Sequence, residues 1–462
     1  MTMRMPLRST ARLAIAALTG LLAIAPARAQ MPGGLPIIRD TEIENLLRDY
    51  ARPLFRVANV GGSQTNVVIV NSRAFNAFVA NGRRIFINAG AILDSRSPNE
   101  LIGVMAHETG HIAGGHLARL REAVERAQVI AAIGMLVGAA GVAAGAASGG
   151  ARSSGVGEAA PGAITAGAQI GMRSLLSYQR GEEAAADRAA ITYLNATGQS
   201  AKGMVETFRR LHNESMFIAR HVDPYAVSHP MPADRIAIIE PLAKASPHYN
   251  RTDPPALNAR HQLARAKLAG FLDRSDAIVR RYPPSDTSLP ARYARTIQMF
   301  RFGDRNRAAA MADDLIRSQP NNPYFHEIKG QILLETGQPA AAIPALRRAV
   351  ALAPNSGLIR IMLGHALVAS GNNAVLDEAI RELRLALQNE PEAGDGYRQL
   401  AIAYGRKNDR GQADLAAAQA AYHSGDVQTA RGLARRAQGS LPTGSPGWLI
   451  AEDIFNQRQR RN

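Results

Sequence analysis

The sequence predicts a mainly α-helical chain in which a small α+β domain is followed by a solenoid of paired helices. In the second half, glycine and proline recur at a constant interval: Gly337 and Gly371 are 34 residues apart, as are Pro320 and Pro354. Such a period indicates repeated pairs of antiparallel helices. The first half instead contains one amphipathic helical stretch, three short strand-like stretches and a helix with a strong start signal.

The N-terminal residues have the pattern of a secretory signal peptide, predicted for residues 1–29. Three arginines precede the apolar run Leu13–Ala25, and Ala27-Arg28-Ala29 forms an A-x-A cleavage site. The apolar run is shorter than the roughly 20 residues that cross a membrane. A cleaved leader is therefore favoured over an uncleaved anchor, and the mature chain is expected to be exported.

Composition excludes some classes of function and narrows the metal chemistry. The whole chain carries a formal charge of +16; loss of the leader's four arginines would leave 54 − 4 = 50 basic against 38 acidic residues, or +12. The basic residues are scattered and not grouped with aromatic residues, so nucleic-acid binding is not expected. There is no cysteine, so any metal must be held by histidines and carboxylates.

The first domain is expected to begin with a helix and a small sheet. Between residues 38 and 58, apolar residues recur every three or four positions, as in an amphipathic helix. Strands are predicted at Asn66–Val70, Ala77–Ala80 and Arg84–Asn88. The Asn-Gly dipeptide between the last two is a strong signal for a two-residue hairpin.

The strongest helix signal lies immediately downstream. Ser97 is suited to cap the N-terminus, Pro98 to occupy the first turn, and Glu100 to complete a capping box. One long helix is predicted from this start through Arg126. A second helix is predicted over residues 172–195.

The stretch between these helices has an unusual composition. Residues 129–149 are uncharged and rich in alanine and glycine, and residues 150–162 are small and expected to form a loop. Two interpretations of the apolar stretch remain open: a transmembrane span, or a helix that packs tightly or touches a membrane. Peripheral membrane contact through 129–149 is part of the second interpretation.

Beyond a linker predicted at Ser246–Pro255, the 34-residue interval is the period of tetratricopeptide repeats. The prolines fall where each second helix should end, and the glycines where a left-handed turn should join two helices. The turn glycines are Gly303, Gly337 and Gly371. The next turn position, Asn408, comes 37 residues after Gly371, which indicates a three-residue insertion near 372–376. The predicted boundaries are 1–29 for the signal peptide, 30–250 for the first domain and 256–462 for the repeat domain.

The long predicted helix carries the sequence His107-Glu108-Thr-Gly-His111. Because the two histidines are four residues apart, they lie on one face of a helix and can bind a single Zn²⁺. Glu108 can then accept the proton of a water whose pKa the metal lowers towards about 7, and return it to a leaving amine. The alternative is a chance match in an amphipathic helix, which would arise roughly once in a hundred chains.

A zinc site of this kind needs a third protein ligand. The pattern with a histidine six residues after His111 is absent, because that position is Leu117. A carboxylate from a later helix is the other standard source. The candidate is Glu183, with Asp187 one turn on and able to accept a ring N–H from a ligand histidine. Glu182 points about 100° away, and a solvated glutamate pair is the alternative.

Two further histidines are candidates for the site. His116 lies nine residues beyond His107, half a turn off the metal-binding face, and is expected to be structural or to contact a ligand from behind. His229 precedes a proline in a predicted loop, where it is either an ordinary loop residue or a metal ligand or substrate contact.

Together these motifs resemble the peptidase family that includes HtpX and the CAAX prenyl proteases. The motifs that carry the resemblance are His107-Glu-Thr-Gly-His111 followed by His116, Arg180-x-x-Glu183-x-x-Ala-Asp187, and Ser228-His-Pro with Arg235. The resemblance extends over essentially the whole chain after the leader. It departs at Gln179, where the family usually has serine, so contacts around the ligands are expected to differ there.

The resemblance implies a gluzincin-type domain with one Zn²⁺ per chain. The implied zinc ligands are His107, His111 and Glu183. Glu108 would be the base, and Arg235 a catalytic-site side chain. His229 would be a fourth ligand that blocks the water site in a latent state.

The implied function is that of a zinc endopeptidase of the bacterial periplasm that degrades misfolded or stalled outer-membrane or periplasmic proteins. Its repeats would dock on outer-membrane assembly machinery or on substrate. Arg84–Asn88 is expected to be an edge strand that pairs with extended substrate, although an ordinary hairpin fits equally well. Two alternatives remain: a periplasmic chaperone or scaffold with a latent or inactive metal site, and an intramembrane prenyl-type protease.

Overall fold

The computed structural model describes residues 35–60, 66–80, 83–129, 132, 156–217, 229 and 233–456, with the backbone alone for 156–175 and 215–217. The predicted signal peptide lies outside these residues, as does nearly all of the apolar stretch 129–149. Among the helices of the described ranges, none is both long enough and apolar enough to cross a membrane.

The first domain contains a small mixed sheet. The strands are β1 (Ile37–Ile38), β2 (Asn66–Val70), β3 (Ala77–Ala80) and β4 (Arg84–Asn88), and the last three have the predicted bounds. β2 runs parallel to β4, and β3 runs antiparallel to it. The prediction that Arg84–Asn88 is an edge strand is wrong, because β4 is paired on both sides. β3 lies at the edge of the sheet instead.

The first domain also contains helices, the first three of which pack against this sheet. They are α1 (Thr41–Val57), α2 (Ala89–Asp94), α3 (Pro98–Gly114), α4 (residues 116–129), α5 (Val156–Ala196), α6 (Lys202–Phe217) and α7 (Ala233–Lys244). The Ser97 hydroxyl accepts a hydrogen bond from the Glu100 N–H at 3.4 Å, which confirms the predicted N-cap of α3. The prediction of one helix through Arg126 is wrong, because Gly115 adopts a left-handed conformation (φ 65°) that ends α3. The prediction of a loop at 150–162 is also wrong in part, since residues from Val156 onwards belong to α5.

Helices that mostly pack against their neighbours in sequence form the second half of the chain. They are α8 (Pro255–Leu272), α9 (Ser275–Arg281), α10 (Leu289–Phe302), α11 (Arg305–Ser318), α12 (Pro323–Glu335), α13 (Pro339–Leu352), α14 (Gly357–Ala369), α15 (Leu376–Asn389), α16 (Gly394–Arg406), α17 (Arg410–His423), α18 (Val427–Ser440) and α19 (Pro446–Asn456). The predicted three-residue insertion is a 3₁₀ turn, Asn373–Val375. The chain's single tryptophan, Trp448, lies in α19.

The turns between repeat helices largely follow the prediction. Gly337 and Gly371 both have φ of 75°, and Asn408 has φ of 60°. The prediction of a left-handed turn at Gly303 is wrong, because the φ of Gly303 is −130°. A Cβ added to Gly303 would lie 2.5 Å from the Met299 sulfur. Close packing on α10 is therefore the physical reason that glycine fits this position.

The segment predicted as a linker, Ser246–Pro255, packs against the first domain. Asp253 accepts a hydrogen bond from the Asn99 backbone N–H at 3.0 Å, and Arg251 donates to the Gly198 carbonyl at 2.7 Å. These contacts tie the segment to the start of α3 and to the turn after α5. The connection into α8 is therefore held against α3, the helix that carries His107, Glu108 and His111.

A buried amine joins α1 to the repeat helices. Lys267 of α8 is 3% exposed, and its Nζ lies 2.7 Å from Asp40, 3.1 Å from Glu327 and 3.4 Å from Glu42. The Tyr293 hydroxyl donates to the same Glu42 carboxyl at 3.1 Å. Burial raises the pKa of Glu42 to about 7, although the Lys267 charge opposes the rise. Three carboxyl groups therefore surround one cation where α1, α8 and α12 meet.

One hydrophobic core runs across this junction. It extends from Ile43 of α1, through the sheet and α3, to Ile332 of α12. A separate hydrophobic cluster begins at Leu333. Another lies farther along the chain and is formed by α17, α18 and α19. The first domain and the first repeat helices therefore share a core.

Candidate metal centre

The candidate site forms where α3 packs against α5. Gly110 permits the close approach of the two helices, because a Cβ added there would lie 2.9 Å from the Ala186 carbonyl oxygen. Ala186 is placed between Glu183 and Asp187 in α5. The contact therefore brings the acidic face of α5 against the two histidines of α3.

Four side chains converge at this contact, with donor atoms that all lie within 4.8 Å of one another: His107, His111, Glu183 and His229. The Nε2 atoms of His107 and His111 are 3.1 Å apart, and each lies 3.3 Å from a different oxygen of Glu183. His229 Nδ1 lies 3.1 Å from Glu183 Oε1 and 3.4 Å from His107 Nε2. The structure thus brings together residues from all three sequence motifs.

The chemistry of this donor set fits a metal ion. Imidazole nitrogen and carboxylate oxygen are ligands of Zn²⁺ in proteins, and here three imidazoles and one carboxylate face a common point. Glu108, beside His107, is fully buried, and neither of its carboxylate oxygens accepts a hydrogen bond from any residue that the structure describes. Buried carboxylate oxygens are normally satisfied, so a water or substrate group is the expected partner.

Asp187 and Arg235 lie directly behind the convergent side chains. His107 Nδ1 is 2.9 Å from Asp187 Oδ1, and Arg235 donates from Nε and Nη2 to the two Asp187 oxygens, both at 2.8 Å. Arg235 Nη1 also lies 2.9 Å from Glu183 Oε2. Phe208 contacts both the His107 ring edge and the Arg235 guanidinium. No sequence signal distinguishes Phe208 from other apolar residues of α6.

The electrostatics of the site favour a cation. Burial lowers the pKa of His107, but Asp187 and Glu183 outweigh burial and raise it to about 10. Burial raises the pKa of Glu183, but hydrogen bonds from the three histidines hold it well below its usual range. Burial lowers the pKa of His111 to about 3, which keeps a nitrogen lone pair available, and burial raises the pKa of Glu108.

His116 contacts His111 because α3 ends before it. The left-handed Gly115 turns the chain, so that His116 Nδ1 lies 2.9 Å from His111 Nδ1. Glu182, predicted to point away from the site, reaches it indirectly: its Oε2 lies 2.9 Å from His116 Nε2 and 2.6 Å from Arg119 Nη2. The two glycines before His116 are the sequence signal that marks the helix end.

Two histidines one turn apart, a carboxylate from a following helix and a buried glutamate beside them form the arrangement expected of a metalloprotease. The model of peptidase family M48 matches residues 38–243, and models of the tetratricopeptide repeat match residues 300–357 and 333–400. Residues 38–243 therefore match a peptidase M48 domain, and the chain that follows matches tetratricopeptide repeats.

Among the relatives with curated names, two that share one name align along most of the chain. The β-barrel assembly-enhancing protease of Yersinia pestis is 25% identical over 94% of this chain and 87% of its own length. The protein of the same name from Escherichia coli (strain K12) is 24% identical over 90% of this chain and 83% of its own. The E. coli metalloprotease YcaL is 29% identical over 35% of this chain and 59% of its own. Among solved structures, the tetratricopeptide-repeat protein YrrB aligns with 49% of this chain and 96% of its own at 22% identity and a TM-score of 0.28.

Proposed function

We propose that this chain is a zinc-dependent endopeptidase of the bacterial periplasm that degrades misfolded or stalled outer-membrane and periplasmic proteins. The observation that carries the proposal is the convergence of four metal-binding side chains beside the buried Glu108. The M48 match supports peptidase chemistry. The names of the relatives and the signal-peptide pattern support a place in the envelope.

In the proposed mechanism, the residues of the site have different roles in peptide hydrolysis. His107, His111 and Glu183 would hold Zn²⁺, which when bound polarises the scissile carbonyl and lowers the pKa of water. Glu108 takes a proton from the attacking water on a carboxylate oxygen and delivers it to the leaving amine. The raised pKa of Glu108 makes its protonated form accessible for the second step.

Asp187 and Arg235 keep these side chains oriented. Asp187 faces Nδ1 of His107, which leaves Nε2 directed at the metal position. The two-point pairing of Arg235 with Asp187, extended to Glu183, holds both carboxylates in one arrangement. Arg235 is therefore proposed as a positioning residue.

The position of His229 supports a latent form of the enzyme. Its Nδ1 lies beside Glu183 and His107, and its Nε2 is 3.5 Å from Glu108 Oε1. A ring in this place lies between Glu108 and Glu183, where it would exclude an attacking water from the proposed metal position. We therefore propose that His229 is a fourth ligand in the resting state and leaves when substrate binds.

Strand β3 supports substrate binding through the main chain. The Asn88 N–H donates to the Asn76 carbonyl at 2.9 Å, and in an antiparallel pair the next residue's groups point the other way. The N–H group of the half-buried Val79 therefore faces away from β4, whereas Ala77, which has the same orientation, is fully buried. A substrate strand added there would bind without regard to its side chains, which suits unfolded proteins. The repeats would dock on the assembly machinery or on substrate.

The test is elemental analysis beside casein cleavage, for the wild type and Glu108→Gln. One zinc per chain in both, with cleavage only in the wild type, is the expected result. Zinc in both with cleavage in neither would identify a latent form, to be released by His229→Ala. Absence of zinc from both would overturn the ligand assignment and leave a chaperone or scaffold.

A further inference from the structure

We propose that His116 and Glu182 form a positioning relay that orients the ligand His111 and thereby raises the affinity for zinc. The inference rests on the proposed zinc site and concerns residues outside it. The relay runs from His111 Nδ1 to His116 Nδ1 at 2.9 Å, and from His116 Nε2 to Glu182 Oε2 at 2.9 Å. His116 is 6% exposed, so water does not compete freely for either ring nitrogen.

The proton positions along the relay follow from coordination chemistry. A neutral imidazole that binds a metal through Nε2 carries its proton on Nδ1. The Nδ1–H of His111 must then donate to Nδ1 of His116, because two protonated nitrogens cannot share a hydrogen bond. His116 consequently carries its own proton on Nε2 and donates it to the Glu182 carboxylate. A metal on Nε2 of His111 is therefore compatible with the one proton arrangement in which His116 donates to the Glu182 carboxylate.

The backbone before His116 makes room for this arrangement. Gly115 has φ of 65° and turns the chain back towards His111. A Cβ added to Gly114 would overlap the His116 ring. Both glycines are thus needed for the ring to lie against His111, one for its conformation and one for its missing side chain.

The outer end of the relay is anchored by Arg119. Its Nη2 donates to the same Glu182 oxygen at 2.6 Å, which holds the carboxylate towards His116. The two ligand histidines are therefore supported differently. His107 faces a carboxylate, Asp187, directly, whereas His111 reaches its carboxylate through a second imidazole. Carboxylate partners of ligand histidines typically change metal affinity 10- to 100-fold.

The experiment compares zinc dissociation constants, measured by competition with a chromogenic chelator, across a set of full-length variants. His116→Phe keeps a ring but removes both nitrogens, and should weaken zinc binding roughly tenfold or more. His116→Asn keeps an acceptor near the Nδ1 position and should restore part of the affinity. Glu182→Gln, at the outer end, should weaken binding without disturbing the core. Gly181→Ala, whose added Cβ meets open space, is the matched control in α5.

The outcomes separate this inference from the proposed function. A wild type that binds no zinc overturns the zinc site itself. Wild-type affinity in His116→Phe and Glu182→Gln overturns the relay while leaving the site intact. Wild-type affinity in His116→Phe, with a loss in His116→Asn and Glu182→Gln unchanged, would show that the ring only fills space, which also overturns the relay.

Discussion

Among single residues, His229 lies between the proposed zinc ligands and the proposed base, with one ring nitrogen towards Glu183 and the other towards Glu108. We expect His229→Ala to increase casein cleavage roughly tenfold, which corresponds to loss of a contact worth about 1.4 kcal/mol. Zinc content should remain one per chain, because three ligands are retained. Unchanged or lower cleavage with zinc still bound would contradict a latent role for this ring.

Helix spacing alone predicts much of the site at this scale. His107 and His111 share a face because they are four residues apart, and Asp187 follows Glu183 by the same step. His116 could not be placed in this way, because the helical phase ends at Gly115. Helical phase also places Glu182 away from the site. Its contact with His116 could not be predicted, because His116 belongs to a different helix. Contacts between elements have no local signal in the sequence.

At the scale of elements, Gly110 sets the distance between α3 and α5. We expect Gly110→Ala to lower the free energy of unfolding by about 1–3 kcal/mol, because the added methyl group meets the Ala186 backbone. Gly181→Ala, on an open face of α5, should instead be stabilising by about 0.5–1 kcal/mol through helix propensity. Urea titrations monitored by circular dichroism would compare the two. Equal effects of the two substitutions would exclude close packing at Gly110.

The edge strand β3 gives a second prediction at this scale. Val79→Pro removes an N–H that faces away from β4 and should lower kcat/KM on casein roughly tenfold, because one substrate hydrogen bond and the strand geometry around it are lost. Val79→Ala, which keeps the N–H, is the matched control and should stay close to the wild type. Zinc content confirms that the site is intact. Full activity in Val79→Pro would place substrate elsewhere.

Sequence patterns predicted the bounds of β2, β3 and β4, since alternation and the Asn-Gly turn are local signals. They did not predict the order of the strands, because the parallel pairing of β2 with β4 joins segments that are separate in sequence. Gly303 shows a similar limit: its place in the 34-residue period predicted a left-handed turn, but its conformation depends on packing against Met299.

At the scale of the whole molecule, the Lys267 cluster couples the first domain to the repeats and makes their joint stability depend on pH. The pKa of Glu42 is about 7 in the folded state against an ordinary value of 4.5, so the folded chain retains a proton that the unfolded chain releases. The stabilising contribution is complete below pH 4.5 and is lost as the pH rises through 7. The difference amounts to about 3 kcal/mol.

We therefore expect the Glu42→Gln variant to gain stability relative to the wild type between pH 5 and pH 8. Urea unfolding at the two pH values would measure the change. Glu206→Gln, on the exposed surface of α6, is the matched control. Wild-type and Glu42→Gln curves that shift in parallel with pH would show that Glu42 does not titrate in this range.

The place of Trp448 has a practical consequence for following this chain in solution. It is the chain's single indole and lies in α19, a helix whose buried side chains belong to a cluster separate from the one that surrounds the candidate metal centre. Intrinsic fluorescence excited at the indole band therefore reports on the far end of the repeats. Emission should respond to a partner that docks there and stay constant during zinc loading, so one spectrum distinguishes the two events without an added label.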